Sequence, residues 1–516
     1  MKKDYLVVSV SPEMMIPELP EPACGANFRG GLGILNGDEM GGLAKLGIRA
    51  IGFMPLYRFH WMTREDTIQT IMANTVLKEK VEIFGKTVEA RVINRGGTDV
   101  LGLWSSDVFN VLYVADRWQR LQQEVLIGHA LPIFLKKMNI KPDIIWLQEG
   151  HTAITSTVIK EDPYFAGVKF LFTTHTPVPE GMEKFPGDWF GELKLDGGKY
   201  HSIFVKDGII DMTRAQMIMA DKINAVSDEH CEVTKRLFPE FVHKIVGITN
   251  GSSRELWLSP NLKTINGRMT KNKFREAQKD DKEDFVRFIG EKTGIKFNPA
   301  KPILGWVRRI AWYKQQHPML APIINAICAE RGEFVDSPFG RLEGLGFQVF
   351  SAGRAHESDT GCMGWMAEFE KWMKDELRGR FVFLPQYNFE LLRRAVWGCD
   401  DWLSSPLPEW EACGTSDQRA SINGKRNHVT KAGGAKEYIK EYNPVSGEGN
   451  GFFIEPYNPK TLYRKLKISS DLYYAWTENG DERWLKLGMN AFRDGKNLDM
   501  ILMTKKYKKI FEVLLN

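Results

Sequence analysis

Short runs of β-branched and aromatic residues alternate with amphipathic helical stretches along most of this chain. In its first half we predict strands at residues 5–10, 50–53, 110–114, 144–147, 169–173, 222–226 and 244–247. Between them apolar residues recur at helical spacing, as at residues 118–137 and 228–237. Strands that alternate with helices form parallel sheets covered by helices on both faces, so the pattern predicts an α/β fold.

A second series of the same kind follows a polar stretch at residues 252–302, which has only a weak helical pattern. Here we predict strands at 303–307, 348–352, 381–384 and 451–454, and helices at 318–330, 363–376 and 389–397. From residue 460 onward the chain is predicted to be helical. Its 516 residues leave room for two such domains. The boundaries we predict are a Rossmann-like domain at 1–255, a junction at 256–300, a second Rossmann-like domain at 301–480 and a helical tail at 481–516.

The amino-acid composition excludes several classes of protein and of binding partner. With 43% hydrophobic and 26% charged residues, the chain is neither disordered nor a small disulfide-stabilised protein. The net charge of +5 is too small to predict nucleic-acid binding, but it is compatible with a small anionic substrate. The six cysteines are far apart and form no C-x-x-C pair, which favours reduced thiols over disulfides or a zinc site. We therefore predict no metal.

The chain carries no signal for a membrane. The apolar run near the N-terminus is broken by serine and by Pro12-Glu13, so it is typical of a first strand rather than of a signal peptide. No stretch of about 18 apolar residues is present. We expect a cytoplasmic protein without a membrane partner, and homo-oligomerisation stays open.

Three segments carry residue types suited to an anionic ligand. The first, at residues 29–48, places Gly30, Gly31 and Gly33 before a helix, where free backbone N–H groups favour an anion. The second, at residues 307–316, follows a strand with three cations, Arg308, Arg309 and Lys314. Each feature has an ordinary structural alternative, because a glycine turn packs a helix and a basic turn is often only solvated.

The third segment, at residues 408–424, places Glu411 before Gly414-Thr415 and a helix start. A plain N-terminal helix charge is the alternative interpretation of Glu411. Two histidines, His151 and His175, follow successive predicted strands. A lone histidine after a strand is more often a packed polar residue, but two in one domain favour a functional role.

Taken in order, these segments resemble the α-glucan phosphorylase family, especially its short archaeal and bacterial branch. The resemblance runs from about residue 25 to residue 433. It rests on GGLGILNGD, EGHTA, THTPVPEGMEKFP, TNG, RRIAWYKQ, SAGRAHESD, FLPQYN and EACGTS followed by ING. It implies the GT-B fold: two Rossmann-like domains facing across a cleft, the first on the acceptor side and the second binding donor phosphate. It also implies that the C-terminal helices return to the first domain.

The resemblance implies a site for a sugar phosphate. The backbone N–H groups of the glycine-rich loop would meet the phosphate, while Arg309 and Lys314 would bind the phosphate as it leaves. Glu411 would hold the glucose 3-hydroxyl, and His175 and Asn250 would contact the 6-hydroxyl. The residues that complete the implied site are Gly30, Gly31, Leu32, His151, Cys413, Gly414 and Thr415. Fixed cations and helix-start amides stabilise a transition state in which the leaving phosphate gains charge.

One departure from the family bears on the cofactor. Phosphorylases keep a lysine eight residues after the glutamate, where it forms a Schiff base with pyridoxal phosphate. Here that position is Arg419, whose guanidinium cannot form the imine. Lys425, Lys431 and Lys436 lie at other spacings, so we predict no pyridoxal phosphate. In the related glycogen synthases a nucleotide occupies about this space, and Tyr387 would stack on its base unless it is a core aromatic.

Three functions remain open from the sequence. The first is a retaining glucosyltransferase that uses a nucleotide-diphosphate glucose and an α-glucan or smaller sugar acceptor. The second is an α-1,4-glucan phosphorylase that holds its cofactor non-covalently or through another lysine. The third is a non-catalytic glucan-binding relative, although an idle site has no need to keep Arg309, Lys314, Glu411 and Asn250. We expect the first function, with Arg419 either pairing with a diphosphate oxygen or filling the space.

Overall fold

The computed structural model describes residues 4–95, 97–265 and 268–516. Residues 1–3 of the predicted first domain and 266–267 of the predicted junction therefore lie outside the described residues. The chain divides into two compact units. The first comprises Met1–Gly251 with Met500–Asn516, and the second comprises Ser252–Asp499.

The first unit is built on a nine-stranded sheet and a separate three-stranded one. In chain order its strands are β1 Leu6–Val10, β2 Arg49–Pro55, β3 Val76–Ile83, β4 Lys86–Ile93, β5 Asp99–Trp104, β6 Ile144–Gln148, β7 Lys169–Thr174, β8 Lys184–Pro186, β9 Val205–Lys206, β10 Ile209–Asp211, β11 Lys222–Ala225 and β12 Ile245–Gly247. The large sheet has the order β12-β11-β7-β6-β1-β2-β5-β4-β3. Strands β12 to β5 of that order run parallel, whereas β3 and β4 form an antiparallel hairpin at the edge.

Helices cover both faces of this sheet. They are α1 Ala23–Ala26, α2 Gly31–Lys45, α3 Ile68–Ala73, α4 Arg117–Lys137, α5 Ala153–Glu161, α6 Gly197–Phe204, α7 Met212–Met219 and α8 Asp228–Leu237. The core forms because strands such as β6 are buried on both faces and are apolar almost throughout. The six cysteines of the whole chain are buried thiols.

The second unit has a six-stranded, fully parallel sheet of order β17-β16-β13-β18-β19-β20. Its strands are β13 Ile303–Val307, β14 Phe334–Ser337, β15 Gly340–Glu343, β16 Gln348–Ala352, β17 Phe381–Leu384, β18 Asp401–Ser404, β19 Arg426–Thr430 and β20 Gly451–Ile454, of which β14 and β15 form a separate hairpin. The helices are α9 Arg254–Trp257, α10 Pro260–Lys263, α11 Lys271–Thr293, α12 Gln316–Leu320, α13 Ile324–Cys328, α14 Thr360–Lys371, α15 Phe389–Gly398, α16 Ser416–Ile422, α17 Ala435–Tyr438, α18 Pro459–Asn479 and α19 Arg483–Asp494.

The last helix, α20 Met500–Leu515, belongs to the first unit. Its Tyr507 hydroxyl accepts a hydrogen bond from Asn224 Nδ2 at 2.7 Å, and the Tyr507 ring lies 4.4 Å from that of Trp146. The predicted tail at 481–516 is thus divided, since residues 481–499 lie in the second unit. None of the helices in the described ranges is long and apolar enough to cross a bilayer.

Several predicted elements differ in the structure. Residues 110–114 form a loop rather than a strand, and the Gln123 amide holds that loop by donating to the carbonyls of Val108 and Val111. Strands β3, β4 and β5 were not predicted from the sequence, and the β3–β4 hairpin is charged and lies at the sheet edge. The predicted helix at 318–330 is broken at Pro322, which has no N–H to donate.

Two further differences concern the second unit. The polar stretch at 252–302, predicted as the junction between the domains, contains α11, a 23-residue helix that belongs to the second unit. The predicted helix at 363–376 begins earlier, at Thr360, where Asp359 caps it, and ends in a π-helical turn at Trp372–Glu376. The predicted strands at 303–307, 348–352, 381–384 and 451–454 are confirmed with the same bounds.

Candidate functional site

A buried carboxylate between two cations forms the centre of the candidate site in the second unit. Glu411 follows β18, and Arg308 and Lys314 follow the neighbouring β13, so all three lie at the carboxyl edge of the sheet. Arg308 Nη2 lies 3.1 Å from Glu411 Oε1, and Lys314 Nζ forms an ion pair with Glu411 Oε2. Arg308 also donates from Nη1 to Ser404 Oγ at 2.8 Å.

The opposite charges of this group stabilise one another. Burial alone would raise the pKa of Glu411, but the cations Arg308 and Lys314 outweigh it and lower the pKa to about 2. Burial would likewise lower the pKa of Arg308, whereas the Glu411 carboxylate raises it. Glu411 is therefore ionised at neutral pH, and two of the three predicted cations neutralise it.

Arg308 and Arg309 are neighbours in the chain but have different surroundings. Arg308 is buried against Glu411, whereas Arg309 is less buried and points its Nη2 toward the Tyr313 hydroxyl at 3.4 Å. Sequence reasoning singled out both arginines and assigned only Arg309 to the site. The signal that could have found Arg308 is its place directly after β13, opposite a carboxylate that follows β18.

The segment after Glu411 packs against the same group. A Cβ placed on Gly414 would lie 3.2 Å from Arg308 Nη2 and 3.5 Å from Glu411 Oε1. Thr415 precedes α16, and the Cys413 sulfur accepts a hydrogen bond from Gln418 Nε2 at 3.9 Å. Tyr387, after β17, is buried and is close enough to act electrostatically on Arg308. The structure thus brings Tyr387 and Gly414 together with the Glu411 group.

Arg419 lies on α16 and stacks on an aromatic ring. Its guanidinium carbon is 4.4 Å from the ring centroid of Trp257, and its side chain is buried. A covalent pyridoxal phosphate would need an amine at this position. Of the later lysines, Lys425 is buried and donates to Gln278 Oε1 at 2.7 Å, and Lys431 pairs with Glu455. Arg419 itself has no amine that could form an imine with pyridoxal phosphate.

In the first unit the predicted residues also follow neighbouring parallel strands. Gly30, Gly31 and Leu32 follow β1, His151 follows β6, His175 follows β7 and Asn250 follows β12. Since β1, β6 and β7 are adjacent and parallel, the segments that follow them leave the same edge of the sheet. Asn250 is buried, and its backbone N–H donates to the carbonyl of Val226 at 3.1 Å.

The glycines before and within α2 have two different roles. A Cβ on Gly30 or Gly31 would meet nothing within 4 Å, so these positions open onto free space at the helix start. A Cβ on Gly33 would instead lie 2.5 Å from Phe28 Cβ and 2.9 Å from Glu13 Oε2. Glu13 holds the loop, because it accepts hydrogen bonds from the backbone N–H of Arg29 and from the Tyr113 hydroxyl.

His175 is fixed at both its backbone and its ring. Its backbone N–H donates to Glu149 Oε1 at 2.7 Å, and its Nε2 lies 2.9 Å from Gln148 Oε1. Glu149, which sequence reasoning missed, has a left-handed backbone with φ of 62° and also accepts from the Thr176 hydroxyl. Burial, followed by the charge of His230, lowers the pKa of His175 to about 3, so the ring is neutral.

His151 belongs to a separate polar cluster. Its Nε2 lies 2.9 Å from Arg120 Nη2 and 3.0 Å from Glu183 Oε2, and Arg120 pairs with Glu183 at 2.6 Å. Ligand atoms of Glu124, His151 and Glu183 lie within 4.8 Å of one another. The Arg120 guanidinium already supplies the positive charge that a metal cation would bring to Glu183 and His151.

Comparison with known proteins finds relatives in sequence and in fold. The family model for the starch synthase catalytic domain matches residues 27–244. The chain is 26% identical to the maltodextrin phosphorylase of Thermococcus litoralis, over 86% of this chain and 63% of that protein. It is 25% identical to the glycogen synthase of Desulfitobacterium hafniense, over 72% of each.

The chain also matches a solved structure over nearly its whole length. This is the catalytic domain of starch synthase IV from Arabidopsis thaliana bound to ADP and acarbose, with a TM-score of 0.77, 14% identity and 99% of both chains covered. The chain spans 63% and 58% of the length of the phosphorylases of Thermococcus litoralis and Mycobacterium bovis. The chain is thus similar in sequence to α-glucan phosphorylases and glycogen synthases, and its fold is GT-B.

Proposed function

We propose that this protein is a retaining glucosyltransferase that transfers glucose from a nucleotide-diphosphate glucose to an α-glucan or another sugar acceptor. The observation that carries the proposal is the ionised Glu411 between Arg308 and Lys314, with Arg309 beside them. A carboxylate can accept hydrogen bonds from sugar hydroxyls, and adjacent cations can bind phosphate oxygens. This combination suits a sugar phosphate better than either group alone.

The cations are proposed to act on the leaving group. As the bond from the anomeric carbon to phosphate breaks, the phosphate gains negative charge and the sugar becomes oxocarbenium-like. Arg309 and Lys314 would stabilise that charge more strongly in the transition state than in the ground state. Lys314 is held by Glu411 and Arg309 lies next to Tyr313, so the two cations are already positioned before substrate binds.

The first unit is proposed to contribute anion-binding amides and sugar contacts. The backbone N–H groups at Gly31, Leu32 and Gly33 begin the 15-residue helix α2, and Gly30 before them has no side chain to cap them. His175 and Asn250 are proposed to contact a glucose hydroxyl. His151, which contacts Arg120 and Glu183, follows β6 at the same edge of the sheet.

Two features support a nucleotide sugar without pyridoxal phosphate. Arg419 is packed on Trp257 and has no nucleophilic amine. Tyr387 lies beside Arg308 and offers a ring on which a base could stack. The glycogen synthase relative and the ADP in the starch synthase structure agree with this donor class. Cytoplasmic location and the absence of a metal remain predictions.

Phosphorolysis of an α-glucan is the second candidate, favoured by the maltodextrin and glycogen phosphorylase relatives. One experiment separates the two. Purified protein is assayed with maltodextrin and ADP-, UDP- or GDP-glucose for nucleoside diphosphate release, and with maltodextrin and phosphate for glucose 1-phosphate release. The absorbance spectrum is recorded before and after borohydride.

The proposal predicts nucleotide release and no near-ultraviolet cofactor band that borohydride fixes to the chain. Glucose 1-phosphate release with such a band would establish the phosphorylase instead. If neither assay gives product, thermal shift against the three donors tests binding, since a ligand at 100 times its Kd stabilises by about 2.7 kcal/mol.

A further inference from the structure

A buried chain of hydrogen bonds connects α2 to the ring of His175. Gln148, at the end of β6, donates from its amide Nε2 to Glu39 Oε2 at 3.0 Å. The other end of the same amide, Oε1, lies 2.9 Å from His175 Nε2. Both Glu39 and Gln148 are almost completely shielded from solvent. Neither residue has a role in the proposed reaction so far.

The direction of these hydrogen bonds determines which ring nitrogen of His175 carries the proton. Burial and the neighbouring Asp38 raise the pKa of Glu39, and a protonated carboxyl still presents a carbonyl oxygen to the Gln148 N–H group. The Gln148 oxygen then faces His175 and can only accept. The ring nitrogen 2.9 Å from that oxygen must therefore be the one that carries hydrogen. A neutral imidazole has a single ring proton, so Nδ1 is left with a lone pair.

We infer that Glu39, acting through Gln148, is a positioning residue that selects the Nε2–H tautomer of His175 and makes Nδ1 a hydrogen-bond acceptor. Resting on the proposed function, this gives Nδ1 the polarity needed to accept from a sugar hydroxyl. The low pKa of His175 agrees with a ring that stays neutral. The Glu149 carboxylate independently fixes the backbone of His175, so the tautomer is the property left to Glu39 and Gln148.

Removing the acceptor at position 39 should allow the side-chain amide of Gln148 to rotate. In Glu39→Leu the Gln148 N–H group no longer has its partner, and a half-turn of the amide would present N–H to His175 Nε2. The ring would then carry its proton on Nδ1 and lose the acceptor. Glu39→Gln keeps an acceptor oxygen at the same place and should retain the original tautomer. Gln148→Leu tests the same connection from the strand side.

The tautomer is measured directly, without substrate, by long-range ¹H–¹⁵N correlation of histidine-labelled protein, with His175 assigned by its loss in His175→Asn. We expect Nε2–H in wild type and Glu39→Gln, and a changed pattern in Glu39→Leu and Gln148→Leu. Gln216→Leu is the control, because Gln216 is an equally buried glutamine of the same unit whose oxygen lies near Ser156. An Nδ1–H ring in wild type, or an unchanged ring in Glu39→Leu, would overturn the inference.

A kinetic comparison adds the functional consequence. Glu39→Leu should lower kcat/KM for the glucosyl donor by about two- to ten-fold, the effect of one hydrogen bond, mainly through KM. The same substitution should leave kcat/KM unchanged for a donor that carries 6-deoxyglucose, because that sugar has no 6-hydroxyl to donate to Nδ1. Equal losses with both donors would contradict a role for Nδ1 at the hydroxyl. If wild type turns over neither donor, the proposed function fails while the spectra still decide the tautomer.

Discussion

The guanidinium of Arg419 lies over the ring of Trp257, with 4.4 Å between the guanidinium carbon and the ring centroid. Its backbone carbonyl also accepts from Asn423 Nδ2, which donates to the Trp257 carbonyl as well. Arg419 is thus part of the packing between α16 and α9. Arg419, where the resemblance to phosphorylases would place the cofactor lysine, thus has a structural contact in this chain.

Arg419→Lys is therefore not expected to create a phosphorylase. The lysine would provide an amine, but the surrounding residues are those that pack a planar guanidinium on Trp257. We expect no phosphate-dependent release of glucose 1-phosphate from maltodextrin, even with added pyridoxal phosphate. Nucleotide-sugar transfer is measured beside it, and Arg419→Met tests the loss of the stacked charge. Robust phosphorolysis by Arg419→Lys would show an intact phosphorylase pocket and remove the main support for the nucleotide-sugar donor.

Arg309→Ala and Lys314→Ala should each reduce turnover steeply. Each removes one cation from the leaving phosphate, and losing a single preorganised donor costs on the order of 10²–10³ in kcat. Lys314→Ala should also lower the melting temperature, because Lys314 is buried against Glu411 whereas Arg309 is not. Lys374→Ala, on an exposed turn, is the control for removal of a positive charge. Wild-type kcat in either site variant would contradict the phosphate assignment.

Comparing wild type with Glu411→Gln should show how the stability contributed by the buried ion pair depends on pH. The folded-state pKa is lowered from 4.5 to about 2, so Glu411 contributes stability above pH 4.5 and loses it as pH falls through 2. The shift corresponds to about 3 kcal/mol. We expect the free energy of unfolding of wild type to exceed that of the variant at pH 6, and the gap to narrow toward pH 2, where Glu411 is protonated. Denaturant titrations across this range measure it, and a gap independent of pH would refute the lowered pKa.

Two glycines in the first turn of α2 should respond differently to alanine. Gly33→Ala places a Cβ 2.5 Å from Phe28 and should destabilise the fold by about 1–3 kcal/mol. Gly31→Ala meets nothing within 4 Å and should leave stability within about 0.5 kcal/mol. Under the proposed function, Gly31→Ala should nevertheless raise KM for the donor, since the methyl group occupies the open space at the helix start. Thermal unfolding and steady-state kinetics distinguish the two effects, and an unchanged KM would argue against an anion at Gly31.

The sequence alone was enough to predict much of the framework. Strands β13, β16 and β17 were predicted with their observed bounds, because a parallel strand buried on both faces is a continuous apolar run. The sequence also placed Arg308, Arg309 and Lys314 directly after a predicted strand, which locates them at the carboxyl edge of the second sheet, whereas the strand before Glu411 was not predicted. These inferences depend only on local pattern and on the regularity of the sheet.

The tertiary structure decided what local pattern cannot express. Strand β19 was not predicted, because Arg426 and His428 are too polar for a core strand until their partners are known. His428 pairs with Asp401 at 2.7 Å, and Arg426 lies on Trp484. The structure likewise decided that Arg308 rather than Arg309 binds Glu411, and that Glu39 reaches His175 through Gln148. A buried charge or tautomer is set by groups that are distant in sequence, and only the folded chain brings those groups within hydrogen-bonding distance.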